Sequence, residues 1–288
     1  MVLARNGCAE TSRSAEADIA HEHLSGGRRN RAIRSPALIL KRRNMGEAGR
    51  LLTIFTPRHG KLSALARGVR KASSRKSGHV ELLMHSDLLL SRGRSFYYVQ
   101  QAEMIAAFPR LREDLTRHTY GLYIADLLDH FFVGEEEIQQ AEFFAETLAA
   151  LQALCEDDDA PLILRHYELR LLSVTGFQPE LQHCAVTGQP LLPRDQYFSN
   201  PAGGVISQAG RSASAKLELR PLPLDVLKLL RFLQRAPYSR VKTLRVSAKL
   251  HALTESLLQG YIESILERRL ASVPFLRRVR QRNAQSTL

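Results

Sequence analysis

Apolar residues in the first third of the chain fall in short runs rather than at helical spacing. Leu51–Phe55 and Leu62–Ala66 are rich in Leu, Ile and Thr and are separated by the turn residues Pro57, His59 and Gly60. Such runs read as adjacent strands of a hairpin. Ala37–Leu40 precedes them and leads into a turn around Asn44–Gly49, while Val80–Leu90 and Ser95–Ile105 supply two longer candidate strands joined by Ser91-Arg92-Gly93-Arg94. Five short strands within about 70 residues, with no helix between them, suit a small closed β-barrel such as the oligonucleotide-binding (OB) barrel.

At Phe108-Pro109-Arg110 the period changes. Tyr120, Tyr123, Ile124, Leu127, Leu128 and Phe131 recur every three or four residues, as do Phe143, Phe144, Thr147, Leu148 and Leu151, and then Leu162, Leu164, Tyr167, Leu171 and Leu172. These are amphipathic helices. Gly176-Phe177-Gln178-Pro179 ends the third, a Gly/Pro-rich patch runs from Cys184 to Gly210, and Leu222–Leu233 and Ala248–Leu270 read as two closing helices. The expected fold is α+β: a barrel over residues 36–107 and a mainly helical domain over 108–280. Residues 1–35 have too few large apolar side chains to offset the entropy of ordering and read as a disordered extension, with 281–288 as a flexible tail. Arg28, Arg29, Arg31 and Arg34 leave open a basic arm in the extension.

Charge sharpens this division. The 288 residues carry a formal net charge of +12, distributed as +2 over 1–35, +10 over 36–110, −11 over 111–200 and +11 over 201–288. Blocks of alternating sign suit separate surfaces for separate partners better than a uniform solubility charge does. No apolar run approaches the roughly 20 residues that span a bilayer, and no secretory h-region opens the chain. Cys8, Cys155 and Cys184 are too few and too scattered for a disulfide framework, which suits a reducing cytoplasm.

The barrel's cations are the candidate chemistry: Lys41, Arg42, Arg43, Arg50, Lys61, Arg67, Arg70, Lys71, Arg75 and Lys76 are expected to contact the phosphates of a nucleic acid. Four of them lie in the Gly/Ser-rich loop Gly68–Gly78, whose other reading is a solvated turn that keeps an edge strand from aggregating. Tyr97 and Tyr98 are neighbours on a strand, so one of them faces outward and could stack on a base, whereas Phe55 suits the core. Glu47 is placed to pair with Arg50 at the first turn. The acidic runs Glu135–Glu137 and Asp157–Asp159 suit helix starts and solvated loops, and consecutive carboxylates do not converge on a metal. No H-E-x-x-H, P-loop or clustered acid and histidine set appears in the basic part, which argues against hydrolase or nuclease chemistry. An RNA-binding accessory protein would use the same kind of barrel and stands as the alternative. At the C-terminal end, Glu267-Arg268-Arg269 and Arg277–Arg282 put cations near a helix end, either for the helix dipole or as a further DNA contact.

The chain resembles the bacterial recombination mediator family RecO. The resemblance is carried by Leu38–Arg75, by the Phe-x-x-Leu-Arg-x-Asp-Leu pattern within Glu103–Leu115, by Leu164–Leu181 leading to a Leu-x-x-Cys, and by Glu267–Leu276. It implies an N-terminal OB barrel and a helical C-terminal domain in a cytoplasmic, nucleoid-associated protein without enzymatic activity. Such a protein binds single- and double-stranded DNA and anneals complementary strands. With RecR, and often RecF, it loads RecA onto DNA covered by single-stranded-DNA-binding protein (SSB). The resemblance also implies a contact between the helical domain and the acidic, Phe-ending SSB tail, for which Arg117, Arg165 and Arg170 are the candidate cations. Intrahelical pairs with Glu168 or Glu113 are the other account of those arginines. Some relatives carry two Cys pairs in a zinc element. Over 182–212 this chain has Cys184 at the first position, with Thr187, Ser207 and Ala209 or Gly210 at the others. No metal or other cofactor is therefore expected.

Overall fold

The computed structural model describes residues 32–134, 141–157, 159–214 and 216–286. The chain divides into two compact units, with the second starting at Phe108 and Gly134 returning to the first. The first contains strands β1 (Ala32–Met45), β2 (Gly49–Thr56), β3 (Gly60–Ala66), β4 (His85–Arg92) and β5 (Tyr97–Ala106). They close into a barrel in the order β1-β2-β3-β5-β4, with β4 returning to β1. All neighbours are antiparallel except β3 and β5, which run parallel through Ala64↔Tyr97 and Leu65↔Tyr98. This is an OB-type barrel.

Alternation along the strands builds its interior. Ala37, Ile39, Leu52, Ile54, Leu62, Ala64, Leu88, Leu90, Tyr97 and Val99 form one buried cluster, joined by Val69, Val80 and Met84 from outside the strands. Burying each large aliphatic side chain contributes about 1.5–3 kcal/mol. β1 serves two partners. Its first half pairs with β4 as far as Leu38↔His85, its second half with β2 from Leu38↔Phe55, and the register shifts at Leu40. That bulge bends the strand around the barrel. Phe55 is fully buried.

Two expectations change here. β1 begins at Ala32, inside the segment read as an extension, and its Arg34 pairs with Asp87 at 2.6 Å and lies 3.7 Å from Glu103. Arg28, Arg29 and Arg31 lie outside the described residues. Val80–Met84 is not strand: Ser77–Val80 forms a 3₁₀ turn, and Leu83 takes a φ of 60°. The Leu83 N–H donates to the Ile39 carbonyl at 2.9 Å, and Ile39 N–H donates to the Met84 carbonyl at 3.0 Å. The apolar run is buried by a loop that dips into the barrel, which a period-2 pattern does not separate from a strand.

The second unit contains α1 (Arg110–Glu113), α2 (Leu115–Phe131), α3 (Ala141–Glu156), α4 (Ala160–Val174), α5 (Leu224–Arg235), α6 (Tyr238–Val241), α7 (Ala248–Leu266) and α8 (Ser272–Ser286). Between α4 and α5, strands β6 (Gln196–Ser199), β7 (Gly204–Ile206) and β8 (Arg220–Leu222) form a small sheet in the order β7-β6-β8. Helix starts are capped by side chains. Asp114 accepts the N–H groups of Thr116 and Arg117, Asp159 that of Leu162, and Ser247 that of Leu250. Glu267, in the left-handed conformation, ends α7 before Leu270, and α8 runs through residues read as a tail.

A buried charge cluster ties four helices together. Arg165 of α4 pairs with Glu168 and lies 3.6 Å from Glu255 of α7. Tyr123 of α2 donates to Glu168 at 2.5 Å, and Arg280 of α8 reaches Glu255 at 2.6 Å and the Tyr120 hydroxyl at 3.1 Å. Asp126 accepts both the N–H and the hydroxyl of Ser272, at 3.0 and 2.8 Å. Burial pushes the Glu255 carboxyl up, but Arg165 and Arg280 outweigh it and hold the group below its usual value.

Candidate nucleic-acid interface

Side-chain alternation places Tyr97 in the barrel interior and Tyr98 on the outer face. Across the ladder, Arg43 is opposite Leu51, Leu51 opposite Leu65, and Leu65 opposite Tyr98. One row on the side away from the barrel interior therefore runs from the Arg43 guanidinium through Leu51 and the buried Leu65 to the Tyr98 ring. The Arg67 guanidinium lies 4.4 Å over the Tyr98 ring, and Phe96 meets that ring edge-on at 5.5 Å. Gly93, in the β4–β5 turn, makes room for it: a Cβ there would stand 2.5 Å from Tyr98 Cε2. The next row outward is Lys41, Thr53 and Ser63. A cleft of about 350 Å³ opens beside it, lined by Lys61, Ser63, Arg92, Arg94 and Phe96 among others.

The loop after β3 is fastened rather than loose. Val69 is fully buried, Arg70 N–H donates to the Ala48 carbonyl at 3.0 Å, and the Arg70 guanidinium reaches the Glu47 carbonyl at 3.2 Å. The loop thereby lies against the β1–β2 turn, with Arg70, Lys71 and Arg75 exposed.

The ten expected cations separate by partner. Arg43, Arg67, Arg70, Lys71 and Arg75 are exposed and have no carboxylate partner among the described residues. Lys41 and Lys61 belong to the outward face. Arg42 and Arg50 point the other way in the ladder and are both held by Glu81, Arg50 at 2.6 Å. Arg50 thus pairs with Glu81 and not with Glu47. Lys76 turns inward and donates to the Val99 carbonyl at 3.0 Å, and burial lowers its ammonium pKa. Arg92 and Arg94, outside the expected set, line the same cleft. They stand in the hairpin between the last two strands, one of the loops that OB barrels use for ligands.

In the helical unit, the three arginines considered for an acidic tail do not converge. Arg165 is enclosed in the charge cluster, where no peptide reaches it. Arg117 closes the end of α3, donating to the carbonyls of Leu154 and Asp157. Its i,i+3 acid is Asp114, at 3.9 Å, rather than Glu113. Arg170 alone fronts a cavity, about 410 Å³ in volume, between α3, α4 and the α5–α6 link. Ala149, Ala150, Ile163, Tyr167 and Pro237 give it apolar walls, and Arg235 and Glu146 add charge. Arg170 holds Glu146 through two bonds of 2.9 and 2.7 Å. His166 lines the same cavity; burial lowers its pKa, and its ring nitrogen lies 3.1 Å from the Ala236 carbonyl. Of the acidic runs, Glu135–Glu137 and Asp158 lie outside the described residues, while Asp157 accepts the Tyr238 hydroxyl.

Around Cys184 the donor set does not fit tetrahedral zinc, which needs about four N or S ligands. Its Sγ accepts the Ser207 N–H at 3.3 Å, and a Cβ on Gly210 would stand 2.8 Å from it. Burial pushes the thiol up, but hydrogen bonds from Ser207 and Thr187 outweigh it and bring the group down to about 6. Among the described residues, no three His, Cys, Asp or Glu side chains gather where they could hold a metal ion. Nor is any helix there long and apolar enough to cross a membrane.

Comparison with known proteins agrees with both units. Residues 31–108 match the family description "Recombination protein O N terminal" and residues 112–274 match "Recombination protein O C terminal". A protein of Roseiflexus sp. (strain RS-1) named "DNA repair protein RecO" is 41% identical over 253 residues, 88% of each chain. Proteins of the same name are 33% identical in Desulforamulus reducens, over 86% of this chain and 94% of the relative, and 30% identical in Dehalococcoides mccartyi strain 195, over 82% and 91%. A basic OB barrel joined to this helical unit, matched by both family descriptions, belongs to the RecO family of DNA repair proteins.

Proposed function

We propose that the outer face of the barrel binds single-stranded DNA, and duplex DNA through the same phosphates, and that the protein anneals complementary strands without enzymatic chemistry. The row from Arg43 to Tyr98, with Arg67 on the ring, carries this reading. Cations there can neutralise phosphates while the aromatic edge offers a base a stacking surface. Strands that repel each other in solution then approach with their base edges free to pair. Acting with RecR, and with RecF where it is present, the protein helps load RecA onto SSB-coated DNA. The cavity beside Arg170 and Arg235 is suited to the SSB tail, since its apolar walls match a terminal Phe and the exposed Arg235 offers a cation to its acids. The RNA-binding alternative has no support in the family, whose relatives are named for DNA repair.

Annealing of complementary oligonucleotides, bare and SSB-coated, across a salt series tests the reading. Expected are acceleration on both substrates, a steep loss with salt, and weaker binding to a matched RNA strand. Absence of annealing at low salt, or an equal preference for RNA, overturns it.

A further inference from the structure

Between Asp225 and Glu255 the chain carries seven cations and no carboxylate. Two of them have local partners: Lys228 lies 3.8 Å from Asp225, and Arg231 donates to the Leu181 carbonyl at 2.7 Å. The other five, Arg235, Arg240, Lys242, Arg245 and Lys249, are exposed, and none has a carboxylate partner among the described residues. Natural surfaces mix charges of both signs, because a one-signed field repels itself. Here the repulsion is local. Burial and the Arg235 charge, one helical turn away, both lower the Arg231 pKa.

The backbone that presents these cations is fixed. Lys242 N–H donates to the Tyr238 carbonyl at 3.0 Å, Leu244 N–H to that of Val241 at 3.0 Å, and Ser247 caps α7. Val241 is fully buried and Leu244 and Val246 are half-buried, so the apolar positions turn inward while Arg240, Lys242 and Arg245 stand out. From residue 226 to 252 no large apolar side chain is exposed, and Leu253, one turn beyond Lys249, is the only exposed one beside the patch among the described residues. A single exposed Leu offers little to the apolar end of an acidic peptide, for which the cavity beside Arg170 is the better match. A sugar–phosphate chain needs only the cations.

We propose that Arg235, Arg240, Lys242, Arg245 and Lys249 form a second phosphate-binding surface, which holds one nucleic-acid strand while the barrel holds another. The pairing of strands rests on the annealing reading above; the surface itself does not. Two full-length variants separate the two. One is R240A/K242A/R245A/K249A, with Arg235 kept because it also lines the cavity; the other is R43A/R67A/K71A/R75A on the barrel. A charge-keeping control, R240K/K242R/R245K/K249R, shows whether charge alone is read, and thermal melts confirm folding. If the first variant melts early, R245E alone takes its place.

The barrel variant is expected to keep weak, salt-sensitive binding to a labelled oligonucleotide, and combining both variants should weaken it further. This readout does not depend on annealing. The first variant should bind one strand nearly as wild type does at low salt, yet anneal about tenfold more slowly or worse, as four phosphate contacts are lost. The charge-keeping control should behave as wild type. The proposal is overturned if the barrel variant has no residual binding, if the combined variant binds as the barrel variant does, or if only binding of an acidic Phe-ending peptide is lost. If wild type binds DNA at both surfaces without annealing, the annealing reading falls and the second surface stands.

Discussion

Two pairs of cations, equal in charge but different in setting, give the sharpest test of the barrel interface. Arg67 and Arg75 are exposed and lack a carboxylate partner among the described residues, whereas Arg50 is held by Glu81 and Lys76 by the Val99 carbonyl. R67Q/R75Q and R50Q/K76Q each remove two positive charges, so any effect of net charge is matched. A single strand releases about 0.7 counterion per phosphate neutralised, so the first pair should flatten the slope of log affinity against log salt by about 1.4. Between about 50 and 200 mM salt, that pair should then lose about sevenfold less affinity than wild type loses. The second pair should change the slope by less than about 0.7, one phosphate. Glutamine at 76 can still donate to Val99, and Glu81 keeps Arg42, so folding should survive. Fluorescence anisotropy of a labelled oligothymidylate across the salt series reads both slopes. Equal flattening by the two pairs, or more from the second, would refute the division of the cations by partner.

Four other outcomes are expected. Tyr98→Ala should weaken single-strand binding by about 1–3 kcal/mol with the salt slope unchanged, while Tyr98→Phe should keep it, as titrations of the same oligonucleotide would reveal. Arg165→Met should cost roughly 3–5 kcal/mol in urea unfolding, because it leaves Glu168 and Glu255 without their buried guanidinium; an unchanged midpoint would count against a structural role. Burial depresses the folded-state pKa of both His85 and His166, so the unfolded chain takes up those protons first. Stability should therefore be greatest above the ordinary histidine value and decline as pH falls through about 6.5, a trend that urea midpoints should show weakened in His166→Gln. Thiolate absorbance should titrate with a midpoint of about 6 and lose that transition in Cys184→Ser, since burial moves Cys155 the opposite way.

Much of the barrel was legible because its signal is local. Leu51–Phe55 and Leu62–Ala66 alternate with a turn between them, and β2 and β3 pair across that turn from Arg50↔Ala66 to Thr56↔Gly60. The burial of Val80–Met84 was visible as hydrophobicity, but its loop geometry depends on Ile39, some forty residues away in sequence. The small sheet escaped because β7 and β8 are three residues each, too short to show a period. α8 escaped for another reason. Its buried stripe is only Val273, Leu276 and Val279, set among arginines that read as a tail. Charge count marked the right region of the barrel, yet counting does not reveal partners. Only the fold brings Glu81 to Arg42 and Arg50, or encloses Arg165 beside Glu168.

The clamp between α2 and α8 has a consequence for synthesis. Asp126 and Ser272 are 146 residues apart, an interval of roughly 7–30 s at ordinary rates of translation of ~5–20 residues/s. Until the ribosome has released Ser272–Ser286, the side of α2 that carries Tyr120 and Asp126 has no helix to cover it, and Glu255 lacks one of its two guanidinium groups. Among the described helices, the arginine-rich α8 is the last to emerge, so it is the element that closes this side of α2.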